Sequence, residues 1–247
     1  MILYKNTKNQ SLRKFDKKIS VVILALFFNI HNIYSQNNSE VLTYNWFDKS
    51  IGIESLDIKN GLLHLNFDKT ANNNNRYYIS NDFKIGTVNY NNQDYYDLFL
   101  KYDIYTDELI LKPYDKSSTT QINLIKENIT FFKIGEQKFV NLNQAKPFKT
   151  GYYEETSIGK NIFLYTKYYK EKNKVIKDNF SSIEYSQKNE FLLLKENKFY
   201  WVNEKNQIIK LYPDSKKNIN NFYFSNKALK KNDNVLFMKN LMKYINN

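Results

Sequence analysis

The chain contains no cysteine. That excludes disulfides, thiolate metal sites, a cysteine nucleophile and a lipidated N-terminal cysteine, so stability must come from packing alone. Glycine is scarce, with six in 247 residues. Neither G-x-G-x-x-G nor the P-loop pattern occurs, which closes the glycine-rich routes to nucleotide phosphates. There are two histidines, and only His64 lies beyond the N-terminal leader. No H-E-x-x-H run, EF-hand loop or cluster of His/Cys ligands of the kind zinc needs is present, and no G-x-S-x-G elbow. No cofactor is expected. Arginine is reduced to Arg13 and Arg76, against 35 lysines. Because arginine makes the commonest bidentate contact to bases, sequence-specific nucleic-acid binding is not expected.

What the chain has in excess is Asn, Lys, Ile, Tyr and Phe, the bias of an AT-rich genome. Its order is more informative than its counts. Lys5, Lys8, Arg13, Lys14, Lys17 and Lys18 precede an apolar run from Ile19 to Ile30, which closes at His31-Asn32-Ile33-Tyr34-Ser35. A positive n-region, an apolar h-region and a small residue at the end predict a signal peptide over 1–35, removed after Ser35. The run is too short for a bilayer span, which takes about 20 residues. The expected location is therefore outside the cytoplasm, in the periplasm, on the outer surface or in the medium. No transmembrane span is expected once the signal is gone. Charge is also ordered. Residues 36–204 hold 22 basic and 22 acidic side chains, while residues 205–247 hold nine lysines and two aspartates. The net positive charge of the mature chain thus lies in its last 43 residues.

Residues 36–60 are weakly patterned and are expected to be an irregular lead-in. From Leu62 the period is two, with Leu63, Leu65 and Phe67 on one face and Leu62, His64 and Asn66 on the other, more polar face. Three hairpins follow. Tyr96–Tyr105 turns at Thr106-Asp107-Glu108 and returns through Leu109–Lys112, stopped by Pro113. Phe131–Ile134 turns at Gly135 and returns through Lys138–Leu142. Glu190–Lys195 turns at Glu196-Asn197 and returns through Lys198–Val202. A longer strand over Asn161–Tyr169 lies between the last two. The period then becomes helical: Val235, Met238, Leu241, Met242 and Ile245 recur at three- and four-residue spacing, with Asn232 or Asp233 as cap. A shorter helix starts near Asp214, with Ile219, Phe222 and Tyr223 on its apolar side. The expected architecture is α+β and mainly β: an antiparallel sheet of hairpins over 61–203, with basic helices over 204–247 packing on it.

Several segments together carry a resemblance. They are Gly86-Thr87-Val88, the run from Leu100 to Leu109, Ile134-Gly135 with Lys138-Phe139-Val140, Phe199-Tyr200-Trp201-Val202, and Leu211-Tyr212-Pro213-Asp214 before basic helices. Over roughly residues 60–245 the chain resembles an uncharacterised family of exported, β-rich proteins of AT-rich Gram-negative bacteria. The resemblance implies the architecture and carries no activity, ligand or site residue.

The candidate chemistry is thin. A lone His64 lacks the nucleophile and orienting group of a catalytic triad. Asp107-Glu108 and Glu154-Glu155 are paired carboxylates, but neighbours on a strand point to opposite faces, whereas glycoside hydrolysis needs two carboxyls facing each other about 5–9.5 Å apart. Tyr95-Tyr96, Tyr152-Tyr153, Tyr165 and Tyr168-Tyr169 could stack on sugars or bases, yet tyrosine also suits half-buried strands. Lys167, Lys170, Lys172, Lys174 and Lys177 read as a hairpin end in water. The first reading is a non-catalytic exported protein, acting by binding or as part of an envelope assembly. One alternative is an Asp/Glu-dependent hydrolase of envelope or extracellular polysaccharide. Another is a polyanion binder, in which Lys216, Lys217, Lys227, Lys230, Lys231, Lys239 and Lys243 stay outside and meet anionic lipid, lipopolysaccharide or acidic glycan.

Overall fold

A computed structural model describes residues 32–52, 55–70, 74–113, 119–143, 148–177 and 180–246. Residues 1–31, on which the signal-peptide reading rests, lie outside the described residues. The expected irregular lead-in is instead helical at its start. Helix α1 (Asn32–Ile51) contains no proline or glycine and stops at Gly52, whose φ of 80° is the left-handed conformation that ends helices. Among the described residues, those up to Ile51 form one unit and those from Gly52 onward a second.

The second unit is mainly β. Its eleven described strands form one antiparallel sheet in the order β1-β5-β4-β3-β2-β6-β7-β8-β9-β10-β11. They are β1 (Gly61–Leu63), β2 (Lys84–Tyr90), β3 (Gln93–Asp103), β4 (Glu108–Lys112), β5 (Ile122–Leu124), β6 (Ile129–Ile134), β7 (Gln137–Leu142), β8 (Gly151–Gly159), β9 (Ile162–Lys177), β10 (Phe180–Lys195) and β11 (Lys198–Trp201). The three expected hairpins are present, closing at Asp103↔Glu108, Ile134↔Gln137 and Lys195↔Lys198. Tight turns at Asn91-Asn92 and Glu196-Asn197 put both central residues at positive φ, the geometry that suits the twist of a hairpin and that asparagine tolerates well.

After β11 come α2 (Lys205–Leu211), α3 (Lys216–Ser225), α4 (Lys227–Asn232) and α5 (Asn234–Asn246), four helices where two were expected. The earliest is opened by a capping box, in which the Glu204 side chain accepts from the Gln207 backbone and the Gln207 side chain accepts from the Glu204 backbone. The longest is capped by Asp233, whose carboxylate accepts from Leu236 N at 2.8 Å. Its predicted stripe is the docking face: Met238, Leu241 and Met242 are buried, together with Phe237, against Ile158, Leu164, Phe191 and Leu193 of the sheet and Val202 just after β11. A second apolar cluster, rich in aromatic edges, joins Tyr102, Phe132, Phe139 and Tyr152, with ring centroids 4.8–5.8 Å apart. Tyr152, Tyr153, Tyr165 and Tyr168 are all buried, so these tyrosines build the core and are not offered as a stacking surface.

The first alternating segment buries neither of its expected faces as a whole. Leu62, Leu63, Leu65 and Phe67 are exposed, while His64 is buried. The cause is tertiary. Beyond β1 the chain runs along strand edges that the sheet leaves free, pairing Tyr77 with Asp103 on β3 and Thr70 with Ile183 on β10. Arg76 meets Asp103 at 2.6 Å, Lys172 meets Asp68 at 2.6 Å, and Lys170 donates to the Tyr77 carbonyl at 2.8 Å. Lys101 and Asp103, on one face of β3, are both buried, Lys101 against Tyr77 and Phe83 and Asp103 against Arg76. Lys167 is also buried rather than protruding. It lies 2.7 Å from Asp107, in a notch that exists because residue 151 is glycine: a Cβ there would run into the Asp107 carboxylate and the Lys167 amine.

Candidate anion-binding surface

The helices α2, α3 and α4 enclose a groove of about 530 Å3 lined by Lys205, Asn220, Tyr223, Phe224, Lys227, Lys230 and Lys231. Helical period explains the lining. Ile219 is buried, and Phe222 and Tyr223 pack on Phe237 with centroids 5.5 and 4.9 Å away. The next position turns outward, leaving Phe224 72% exposed. Lys227 Nζ stands 4.6 Å from the Phe224 ring centre, and Lys230 and Lys205 stand 4.9 and 5.7 Å from that of Tyr223. These cation–π contacts hold the ammonium groups without neutralising them. Burial pushes the Tyr223 hydroxyl up to about 12, so it remains a neutral donor. All four lysines are exposed, and none forms an ion pair among the described residues. Dense positive charge beside an exposed aromatic ring suits a partner that carries phosphate or carboxylate groups together with apolar surface.

Of the seven lysines singled out in the sequence, Lys227, Lys230 and Lys231 line this groove. Lys216 and Lys217 are exposed at the start of α3, and Lys243 is exposed near the end of α5, outside the groove lining. Lys239 departs from the expectation. Its amine lies 2.6 Å from Glu154, a carboxylate only 4% exposed, so it acts as a strut between α5 and β8. Lys205 escaped the sequence reading because α2 itself was not foreseen, and Phe224 because the exposed side of α3 was not read. The Glu204…Gln207 spacing ahead of Ile208-Ile209 was the signal that could have found it.

The carboxylate pairs resolve into structural roles. On β8, Glu154 bonds to Tyr168 OH at 2.6 Å and Glu155 to Tyr165 OH at 2.9 Å and Lys138 at 2.8 Å, on opposite faces as adjacent strand residues must. In the β3–β4 turn, Asp107 accepts from Tyr102 OH at 2.6 Å and pairs with Lys126 and Lys167, while Glu108 accepts from Asn123 and Thr106 at 2.9 Å. His64 has a structural setting too. Asn123 Nδ2 donates to Glu108, which leaves its Oδ1 to accept from His64 Nδ1 at 2.8 Å. The other ring nitrogen, Nε2, then accepts from Tyr77 OH at 3.1 Å. Burial lowers the affinity of this ring for a second proton, consistent with a neutral imidazole.

Among the described residues no group of three His, Cys, Asp or Glu side chains is placed to hold a metal ion, and no helix is long and apolar enough to cross a membrane. No family model matches the chain, and neither a curated protein nor a solved structure is similar to it.

Proposed function

We propose that this is an exported, envelope-associated protein that binds anionic membrane surfaces through its C-terminal helices. The observation that carries the reading is the groove itself: Lys205, Lys227, Lys230 and Lys231 are gathered around an exposed Phe224 and pair with no acid among the described residues. An aromatic ring among lysines supports a lipid surface, anionic phospholipid or lipopolysaccharide, over a purely soluble acidic glycan, because the ring has apolar material to enter. Each lysine near an anionic leaflet contributes about 1 kcal/mol, an attraction that fades beyond a Debye length of about 8 Å at physiological salt.

Cosedimentation with anionic vesicles tests this. Wild type should bind at low salt and release as salt rises. The variant with Lys205, Lys227, Lys230 and Lys231 replaced by Gln should not bind. Phe224→Ala should weaken binding to vesicles and leave retention on heparin unchanged. Vesicle binding by the four-lysine variant equal to wild type would remove the groove from consideration. A Phe224→Ala variant that loses heparin and vesicles equally would favour the glycan partner instead.

A further inference from the structure

Four charged side chains are fully buried among the described residues: Lys101, Asp103, Glu154 and Lys167. Three have an opposite charge beside them, Asp103 with Arg76 at 2.6 Å, Glu154 with Lys239 at 2.6 Å and Lys167 with Asp107 at 2.7 Å. The fourth does not. Lys101 is 5% exposed, and among the described residues no carboxylate reaches its amine. Its Nζ donates to two neutral acceptors, Asn81 Oδ1 at 3.0 Å and Gln121 Oε1 at 3.3 Å. The ammonium also faces the rings of Tyr77 at 4.1 Å and Phe83 at 4.6 Å. An ammonium has three donors, and a π-face satisfies the third far less well than an anion would.

A buried charge without a counter-charge is costly, and an apolar side chain of similar size would fill the same space without that cost. The amine borders a cavity of about 440 Å3, with His64, Tyr77, Phe83 and Lys112 among its walls. We propose that this cavity binds a small monocarboxylic acid, whose carboxylate supplies the counter-charge missing at Lys101. The single buried ammonium matches a single negative charge. Tyr77 and Phe83 stand in the cavity wall beside the amine and give the body of the ligand an aromatic border. His64 takes no part as a cation, since both of its nitrogens are already committed to Asn123 and Tyr77. Asp103 does not compete for the amine, because Arg76 holds it.

The chemistry imposes a pH dependence. Burial, with Lys112 adding to it while Asp103 and Asp82 oppose it, holds the Lys101 ammonium down to about 8. A carboxylate selects the protonated amine, so binding is full below that value and falls about tenfold per pH unit above it.

The test is to titrate the full chain with benzoate and with gluconate at about pH 7 and about pH 9.5, with inorganic phosphate for comparison, following binding by calorimetry or NMR. At least one carboxylate should bind wild type near neutrality and bind more than tenfold more weakly at the higher pH. Lys101→Met should abolish binding, while the four-lysine groove variant should bind as wild type does, which separates this site from the groove. Lys101→Arg covers the case in which the methionine variant fails to fold: a guanidinium does not titrate in this range, so any binding it retains should lose its pH dependence. Binding that survives Lys101→Met, a pH dependence that survives Lys101→Arg, phosphate binding as tight as either carboxylate, or no carboxylate binding at millimolar concentration would each overturn the proposal.

Discussion

Lys167 and Lys227 are the same residue type in opposite situations. Lys167 is 5% exposed, points into a notch left open by Gly151 and stands 2.7 Å from Asp107. Lys227 is exposed, leans on Phe224 and meets no acid among the described residues. They represent two regions. In residues 36–204 acids and bases are equal in number, and many of them meet: Arg76 with Asp103, Lys126 with Asp107, Lys138 with Glu155, Lys172 with Asp68. In residues 205–247 nine lysines face two aspartates, one of which is occupied in capping α5. The same abundance of lysine yields struts where acids are on hand and a bare positive surface where they are not. The one lysine of the tail that becomes a strut, Lys239, does so by borrowing an acid from β8.

The contrast between the regions presupposes that the tail is folded onto the sheet, and the largest effect tests that. Leu241 is fully buried in the cluster between α5 and the sheet. Leu241→Ala should cost about 2–5 kcal/mol in a denaturant titration. A loss near zero would mean that the helices do not depend on the sheet, and the comparison would lose its footing. Next comes the borrowed acid. Lys239→Ala strands Glu154, keeping only its bond to Tyr168, and should cost about 1–3 kcal/mol. Lys243→Ala on the same helix should stay within about 0.5 kcal/mol. Equal effects at the two positions would erase the distinction between strut and surface.

A smaller effect of opposite sign is expected at Lys101, where replacement by Met should stabilise the fold. The gain is itself pH-dependent. The folded-state value of Lys101 is lowered to about 8 from 10.5, so the folded chain releases this proton before the unfolded chain does. Wild-type stability therefore rises with pH between those values, and the advantage of Lys101→Met shrinks across the same window. Denaturation of both proteins at about pH 7 and about pH 10 measures it; an advantage that grows with pH would contradict the assignment. The smallest stability effect belongs to the groove: Gln at Lys205, Lys227, Lys230 and Lys231 should change stability by no more than about 0.5 kcal/mol per site.

The legible parts of this fold were local. Turn residues announced the hairpins at Thr106-Asp107, Gly135 and Glu196-Asn197, and a 3.6-residue period announced α5. What periodicity could not show was the segment after β1 returning along the free edges of β3 and β10. Leu62-Leu63-His64-Leu65-Asn66 reads as a strand with Leu63 and Leu65 on one face and Leu62, His64 and Asn66 on the other. Of these only His64 is buried, because the returning segment brings Tyr77 and Arg76 to His64, Lys101 and Asp103 and turns polar side chains into an interior. Two hints were present in retrospect. Arg76 is the only arginine after residue 13, and β3 alternates Lys101 and Asp103 with large apolar residues in a pattern that a covering segment can satisfy as well as water can. For the groove, the lysines of α4 were visible from charge alone. Its far wall, Lys205, needed α2, and its apolar centre, Phe224, needed the rotation of α3 fixed by Ile219.

The central claim is that the placement of the tail lysines matters, and not merely their number. Two variants with the same net charge decide it. One replaces the groove lysines Lys205, Lys227, Lys230 and Lys231 by Gln; the other replaces Lys84, Lys133, Lys160 and Lys198, which are exposed on the strands and turns of the sheet. Binding of both to anionic vesicles, measured against salt beside wild type, should leave the sheet variant close to wild type and the groove variant unbound. Equal losses from the two would show that net charge alone drives association and that the groove has no special part in it.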